Sequence, residues 1–292
     1  MKVLKLVLSV VFFALFLGLT VISKSFDGTK ASMMQMASIL SALVGFLLVI
    51  PTKKYEIPNQ KGGIGKRTVL SLISVLVLIP TTIFCGMYFF QDKKFYIISV
   101  LVILEILLPF FIRIEGRKHQ ARELVIISVI SALAIAGRIA FFFLPQFKPV
   151  IAILIITGVC FGGEVGFLVG AVVGFLSNFY FGQWAGTPWQ MFAFGIIGFI
   201  AGVLADSGLL KKGRIPLSIF GFFATLVVYG LIMNTSSVVL WIDKITPEAL
   251  VSSVIMGLPF DLVHAVSTVF FLMICADPII EKLERIKTKY GI

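Results

Sequence analysis

Charge is scarce in this chain, and negative charge scarcest: 14 Asp and Glu stand against 25 Lys and Arg in 292 residues, and charged residues make up 13% of the total. With 59% of residues hydrophobic, too little polar content remains to clothe a soluble core. A soluble domain is thereby excluded. Cysteine and histidine are also rare, at three and two. Cys85, Cys160 and Cys275 each lie in an apolar run with no partner at metal-ligand spacing, so small buried hydrophobes are expected rather than a disulfide or zinc site. No HExxH, serine nucleophile with a base or group of carboxylates is present, so neither enzymatic activity nor a cofactor is expected. The glycine-rich KGGIGKR, residues 61–67, lacks the Walker spacing and a preceding strand, and reads as a basic loop flanking the membrane. ATP hydrolysis, if the function needs it, belongs to a partner. Strict apolar–polar alternation is almost missing, which excludes an outer-membrane barrel.

What the chain has in abundance is apolar runs near the ~20 residues that a helix needs to cross hydrocarbon. About ten are expected, over residues 3–22, 32–50, 69–90, 95–112, 124–144, 150–161, 163–181, 188–205, 216–233 and 250–276. The first resembles a signal peptide but has no convincing small-residue cleavage site after it, so it is expected to remain as a span. The fold class is therefore an all-α integral membrane protein.

The net charge of +11 follows the positive-inside rule rather than nucleic-acid binding. With the N-terminus in the cytoplasm, Lys53, Lys54, Lys61, Lys66 and Arg67 lie inside. So do Arg113, Arg117, Lys118 and Arg122, then Lys211, Lys212 and Arg214, and finally Lys282, Arg285, Lys287 and Lys289. Both termini are then cytoplasmic. The charged segment RIEGRKHQAR, residues 113–122, divides the chain into an N-terminal membrane domain of about four helices, residues 1–115, and a six-helix domain, residues 116–292. In the first, Glu105 stands alone within a span with no evident partner and no assigned chemistry.

The second domain is different in character. Gly162, Gly166, Gly170 and Gly174 recur at every fourth residue, and Gly198 and Gly202 repeat the spacing. Such rows lie on one helix face and allow close approach of a neighbour, with internal packing as the main expectation. Ser128, Ala132 and Ala136 form a similar stripe, suited to packing within the chain or to docking another membrane helix.

Polar residues inside hydrocarbon are costly, and here they converge on the outer side. Arg138, Lys148, Asn178, Gln183, Trp184, Trp189, Gln190 and Trp241 come from four segments, with Asp243 beside the last. Two Trp rings can stack on a flat ligand, amides can pair with its edge, and Arg138 or Lys148 can meet an anion or carbonyl. The competing roles are an interfacial anchor for each Trp, and snorkelling or neutralisation of Asp261 for Arg138. Asp261 and His264, three apart in LPFDLVHA, share a helix face and suit a substrate site, a structural pair or a proton-coupled carrier.

The runs GRIAFFFLPQFKPV, FGGEVGFLVGAVVGFLSNFYFGQ and TPWQMFAFGIIGFIAG, within residues 123–280, resemble the substrate-binding S component of an energy-coupling factor (ECF) transporter. The resemblance implies a multi-pass subunit of a bacterial cell membrane that captures a vitamin or related micronutrient at its outer face. It also implies partners, a membrane coupling subunit and two cytoplasmic ATPases, with Ala132, Ala136 and Ser128 at the contact with the coupling subunit. The GR, KPV and SN elements most resemble the cobalamin-type members. The extra N-terminal helices depart from the family's usual small S component, and leave open an accessory domain or a further partner contact. The alternative is a standalone proton-coupled secondary transporter working through Asp261 and His264.

Overall fold

The computed structural model describes residues 74–90, 99–102, 104–105, 120–242 and 245–290. All of them fall in one of the chain's two compact units, Ile57–Ile292. The spans expected at 3–22 and 32–50, and parts of the third and fourth, lie outside the described residues, as does Asp243. Among the described residues the structure is helical throughout, with no strand.

Helix α1, Ile79–Phe90, follows a π-helical turn, Ser74–Leu78. Its Thr82 hydroxyl donates to the Glu105 carboxylate, a partner for the acid that the sequence did not reveal. The other helices are α2 (Gln120–Ala140), α3 (Val150–Phe161), α4 (Gly163–Phe181), α5 (Thr187–Asp206), α6 (Arg214–Trp241, with a π-helical turn at Ala224–Tyr229) and α7 (Pro247–Tyr290). Four of them, α4 to α7, are long and apolar enough to cross a membrane. The chain is a multi-pass membrane protein.

Local chemistry sets these boundaries. Pro188 sits in the first turn of α5, where its missing N–H costs no helical bond. Gly162 separates α3 from α4 at φ +92, a conformation that L side chains rarely adopt. Helix α3 is as short as the sequence indicated: its 12 residues rise only about 18 Å, short of the ~30 Å hydrocarbon core. Every one of them is buried, as befits a helix apolar on all sides at the centre of a packed domain.

The glycine rows explain the closest packing. A Cβ on Gly166 would lie 2.5 Å from the Gly198 carbonyl oxygen, and one on Gly170 would lie 2.6 Å from the Gly195 nitrogen. One on Gly158 would lie 2.0 Å from the Gly198 oxygen, so backbone meets backbone where α3, α4 and α5 touch. The Ser128, Ala132 and Ala136 stripe is different, since all three residues are exposed on α2 together with Val125, Val129 and Leu133.

Helix α7 extends well past its expected span, 250–276. Its 44 residues rise about 66 Å, and Ala276, Ile280 and Leu283 keep one buried stripe through the charged continuation. There Glu284 accepts from Lys212 at 2.6 Å, and Asp277 accepts from the Arg214 backbone N–H at 3.0 Å and from its guanidinium. The Lys287 ammonium donates to the Cys160 carbonyl at 2.6 Å, satisfying an oxygen in the last turn of α3.

Candidate functional site

Alternating helix directions bring the C-terminal ends of α2 and α4 beside the N-terminal ends of α3 and α5, the second half of α6 and the first third of α7. A cavity of about 430 Å³ opens there, within the size range of small-molecule sites. Arg138, Lys148, Trp184, Gln190, Asp261 and His264 all line it. The opposite end of the domain holds the Lys212, Arg214 and α7 contacts described above.

Arg138 organises one wall. It stands in the last turn of α2, because the helix ends at Ala140, earlier than the hydropathy suggested, and Phe141–Phe143 form turns ahead of Pro145. A cation there also complements the negative end of the helix dipole. The side chain is 7% exposed. Its Nη1 donates to the Ser177 hydroxyl and to Asn178 Oδ1 at 2.9 Å, and its Nη2 donates to Gln190 Oε1 at 3.4 Å. The guanidinium carbon lies 4.4 Å from the Phe181 ring centroid. Among the described residues no carboxylate lies within ion-pair distance of it, Asp261 included. A buried guanidinium with neutral partners and an open cavity beside it is poised to receive an anion.

Asn178 supports this wall from behind. Its Nδ2 donates to Gln190 Oε1 at 2.9 Å and to Thr187 Oγ1 at 3.1 Å, so the amide is spent on internal bonds and does not line the cavity. Gln190 Nε2 in turn donates to the Tyr229 hydroxyl at 3.3 Å, and Tyr229 stacks on Phe194 with centroids 5.4 Å apart. The chain of bonds from α2 through α4 and α5 to α6 fixes each donor before any ligand arrives.

Lys148 lies in the loop before α3, with its ammonium 5.5 Å from the Phe181 centroid and donating to the Leu144 carbonyl at 3.2 Å. Ser267 of α7 donates to the Lys148 carbonyl at 3.0 Å, tying the loop down. Burial, and then the nearby Arg138, hold the ammonium below the usual lysine range. Only its charged form attracts an anion. Affinity for an anionic ligand is therefore expected to fall as pH rises through that lowered pKa, at lower pH than an ordinary lysine would produce. Isothermal titration across pH checks this, and Lys148→Met should flatten the profile.

Three sequence candidates are placed elsewhere. Trp189 is 5% exposed and faces a separate apolar crevice with Pro80, Ile83, Phe192, Leu231, Ile232 and Thr235. Gln183 donates to the Phe175 carbonyl at 2.8 Å and does not line the cavity. Trp241, 72% exposed, ends α6 away from it. Asp261 and His264 share the wall but not a bond: Asp261 accepts from Asn234 Nδ2 at 2.7 Å, whereas neither His264 nitrogen has a hydrogen-bond partner. Tyr229, Met233, Asn234 and Ser237, all on α6, line the cavity and were missed from sequence.

Comparison with known proteins follows this geometry. A family model described as "ECF-type riboflavin transporter, S component" matches residues 118–284. A UPF0397 protein of Vibrio atlanticus is 29% identical over 125 residues, covering 40% of this chain and 68% of the relative. A UPF0397 protein of Aliivibrio fischeri is 30% identical over 124 residues, covering 38% of this chain and 67% of the relative. No solved structure matches the chain significantly. The family match takes in α2 to α6 whole and most of α7, and with it every residue lining the cavity: the chain belongs to the family of ECF-type riboflavin transporter S components.

Proposed function

We propose that this chain is the substrate-binding subunit for ATP-driven uptake of a vitamin-like micronutrient. The ligand is captured in the cavity around Arg138 and delivered by docking to a coupling subunit that carries two ATPases. The observation that supports this most is Arg138 itself: a buried guanidinium, without a counter-ion among the described residues, beside a cavity of about 430 Å³. The ligand is a flat heteroaromatic with an anionic or acceptor-rich end. Arg138, Lys148 and Gln190 receive that end, Trp184 and Phe194 flank the ring, and Asn178 positions the donors. Gln183, Trp189 and Trp241 have structural roles.

Cobalamin draws no support from the comparisons, and a cavity of this size favours a ligand much smaller than a corrinoid. Riboflavin, named in the family description, is of suitable size and belongs in the test panel. The cavity faces the outside and both termini face the cytoplasm, in keeping with the basic loops. The substrate domain is residues 116–292, and the N-terminal membrane domain, residues 1–115, is given no role in capture.

Mass spectrometry of small molecules that co-purify with the protein, followed by titration of those found, tests the reading. A vitamin-like ligand whose affinity depends on Arg138 is expected. Uptake in proteoliposomes of this chain alone, driven by a pH gradient, would instead establish the standalone carrier. The exposed small-residue face of α2 is the docking surface for the coupling subunit. Replacing Ala132 and Ala136 together by Trp is expected to leave ligand affinity unchanged and to abolish uptake in cells. Uptake at the normal rate would remove that face from the docking role.

A further inference from the structure

Phe181, the last residue of α4, lies against both cations of the cavity. The Arg138 guanidinium carbon is 4.4 Å from its ring centroid and the Lys148 ammonium 5.5 Å, both over the ring and within the ~6 Å reach of a cation–π contact. Arg138 otherwise meets Ser177, Asn178, Gln190 and, at 5.6 Å, the Phe194 ring, whereas Lys148 otherwise meets the Leu144 carbonyl. Among the described residues, Phe181 is the group that the two cations share. The ring is also pinned. It packs on Phe142 at 5.5 Å and on Tyr180 at 5.3 Å between centroids, and those two rings meet each other at 5.6 Å. Phe142 and Tyr180 form the exposed side of this triangle, and Phe181 the side that lines the cavity. Directly after the ring, Gly182 at φ +98 turns the chain out of α4.

Two like charges in one cavity repel, and burial penalises both. For Lys148, burial and then Arg138 favour loss of the proton. A carboxylate between them would answer both costs, but it would close ion pairs that an incoming ligand would have to break. An aromatic face answers them differently. Its negative quadrupole attracts each cation without neutralising it and without occupying the N–H donors, which stay available to a ligand.

We propose that Phe181 is a positioning residue whose ring stands in for the missing counter-ion: it holds Arg138 and Lys148 charged and together in the empty cavity, so that acceptors on the ligand meet both at once. Its use rests on the capture-site reading above, but the holding of the cations belongs to the empty protein and is measurable without a ligand.

Fluorination tests it in the full chain in nanodiscs. Phe181 is replaced by 4-fluoro-, 3,5-difluoro- and 3,4,5-trifluorophenylalanine, which keep the shape of the ring while draining its negative face. Lysines are reductively methylated with carbon-13 formaldehyde, the Lys148 signal is assigned by its loss in Lys148→Arg, and its titration is followed by NMR. Arg138, Tyr229, Asp261 and His264, the other charged or titratable groups lining the cavity among the described residues, are the same throughout the series. The Lys148 midpoint is expected to fall stepwise with each fluorine, by roughly 0.3 to 0.7 in pH at the trifluoro ring. A midpoint that ignores the fluorines overturns the proposal, because that is what a ring serving only to pack would give. Riboflavin is the ligand probe, and its affinity is expected to fall in the same order, by roughly 2- to 5-fold at the trifluoro ring. Riboflavin affinity that depends on Arg138 but not on the fluorines also overturns it. If riboflavin fails to bind, or binds regardless of Arg138, while the midpoints still follow the fluorines, the holding role stands and the capture-site reading fails for that ligand.

Discussion

Arg138→Met is expected to lower affinity for the co-purified ligand by roughly 100- to 1,000-fold, because it removes the buried fork of donors and leaves the ligand's anion with Lys148 as its remaining cation. Calorimetric titration reads the loss directly. The empty protein should keep its thermal midpoint within a few degrees. Its guanidinium contributes hydrogen bonds to Ser177, Asn178 and Gln190, but burying that charge without a counter-ion offsets them. Arg138→Lys keeps the charge but loses the fork that reaches Ser177, Asn178 and Gln190 together, so it should recover only part of the affinity. Unchanged binding by the Met variant would remove Arg138 from the site.

The second large effect concerns folding. Gly198→Val is expected to prevent recovery of a monodisperse protein, and Gly198→Ala to lower stability by about 1–3 kcal/mol or more, read as a lower thermal midpoint in detergent. The added Cβ would lie 2.6 Å from the Gly166 oxygen. Backbone cannot turn aside as a side chain can, so α4 and α5 must separate along their shared length. Gly208 provides the contrast. At φ +77 with nothing within 4 Å of an added Cβ, it should accept Asn with little loss, since Asn tolerates positive φ. Normal stability of Gly198→Val would refute the backbone contact.

Hydropathy located the helices of residues 120–290 because leaving water dominates everything else about them; the limits of α3 and α4 agree with the expected runs to the residue. It failed where charge returns. The continuation of α7 through residues 277–290 is amphipathic, held by an apolar stripe and by contacts to Lys212, Arg214 and α3 that no hydropathy window registers. The site was legible in part, through polar residues that had no reason to be in hydrocarbon. Trp189 illustrates the limit. Consecutive helical residues point ~100° apart, so with Gln190 facing the cavity, its neighbour had to look elsewhere. Tyr229 and Asn234 were hidden for another reason: the π-helical turn at Ala224–Tyr229 shifts the phase of α6, and a 3.6-residue pattern does not carry across it. Met233, Ser237 and Tyr229, four apart, reveal the cavity face once counting starts after the turn.

Helix α7 joins the two ends of the domain in one rod. From Asp261 at the cavity to Lys287 on the end of α3 is 26 residues, a rise of about 39 Å. Pro259 lies two residues before Asp261 and has no N–H to give the preceding turn, so the rod is missing a rung beside the cavity. A pivot of 5° at that weak point would carry the Lys287 end, about 42 Å away, through about 4 Å, enough to pull its ammonium from the Cys160 carbonyl. The helix thus has the proportions of a lever that meets the cavity close to its pivot and holds a latch at its far end.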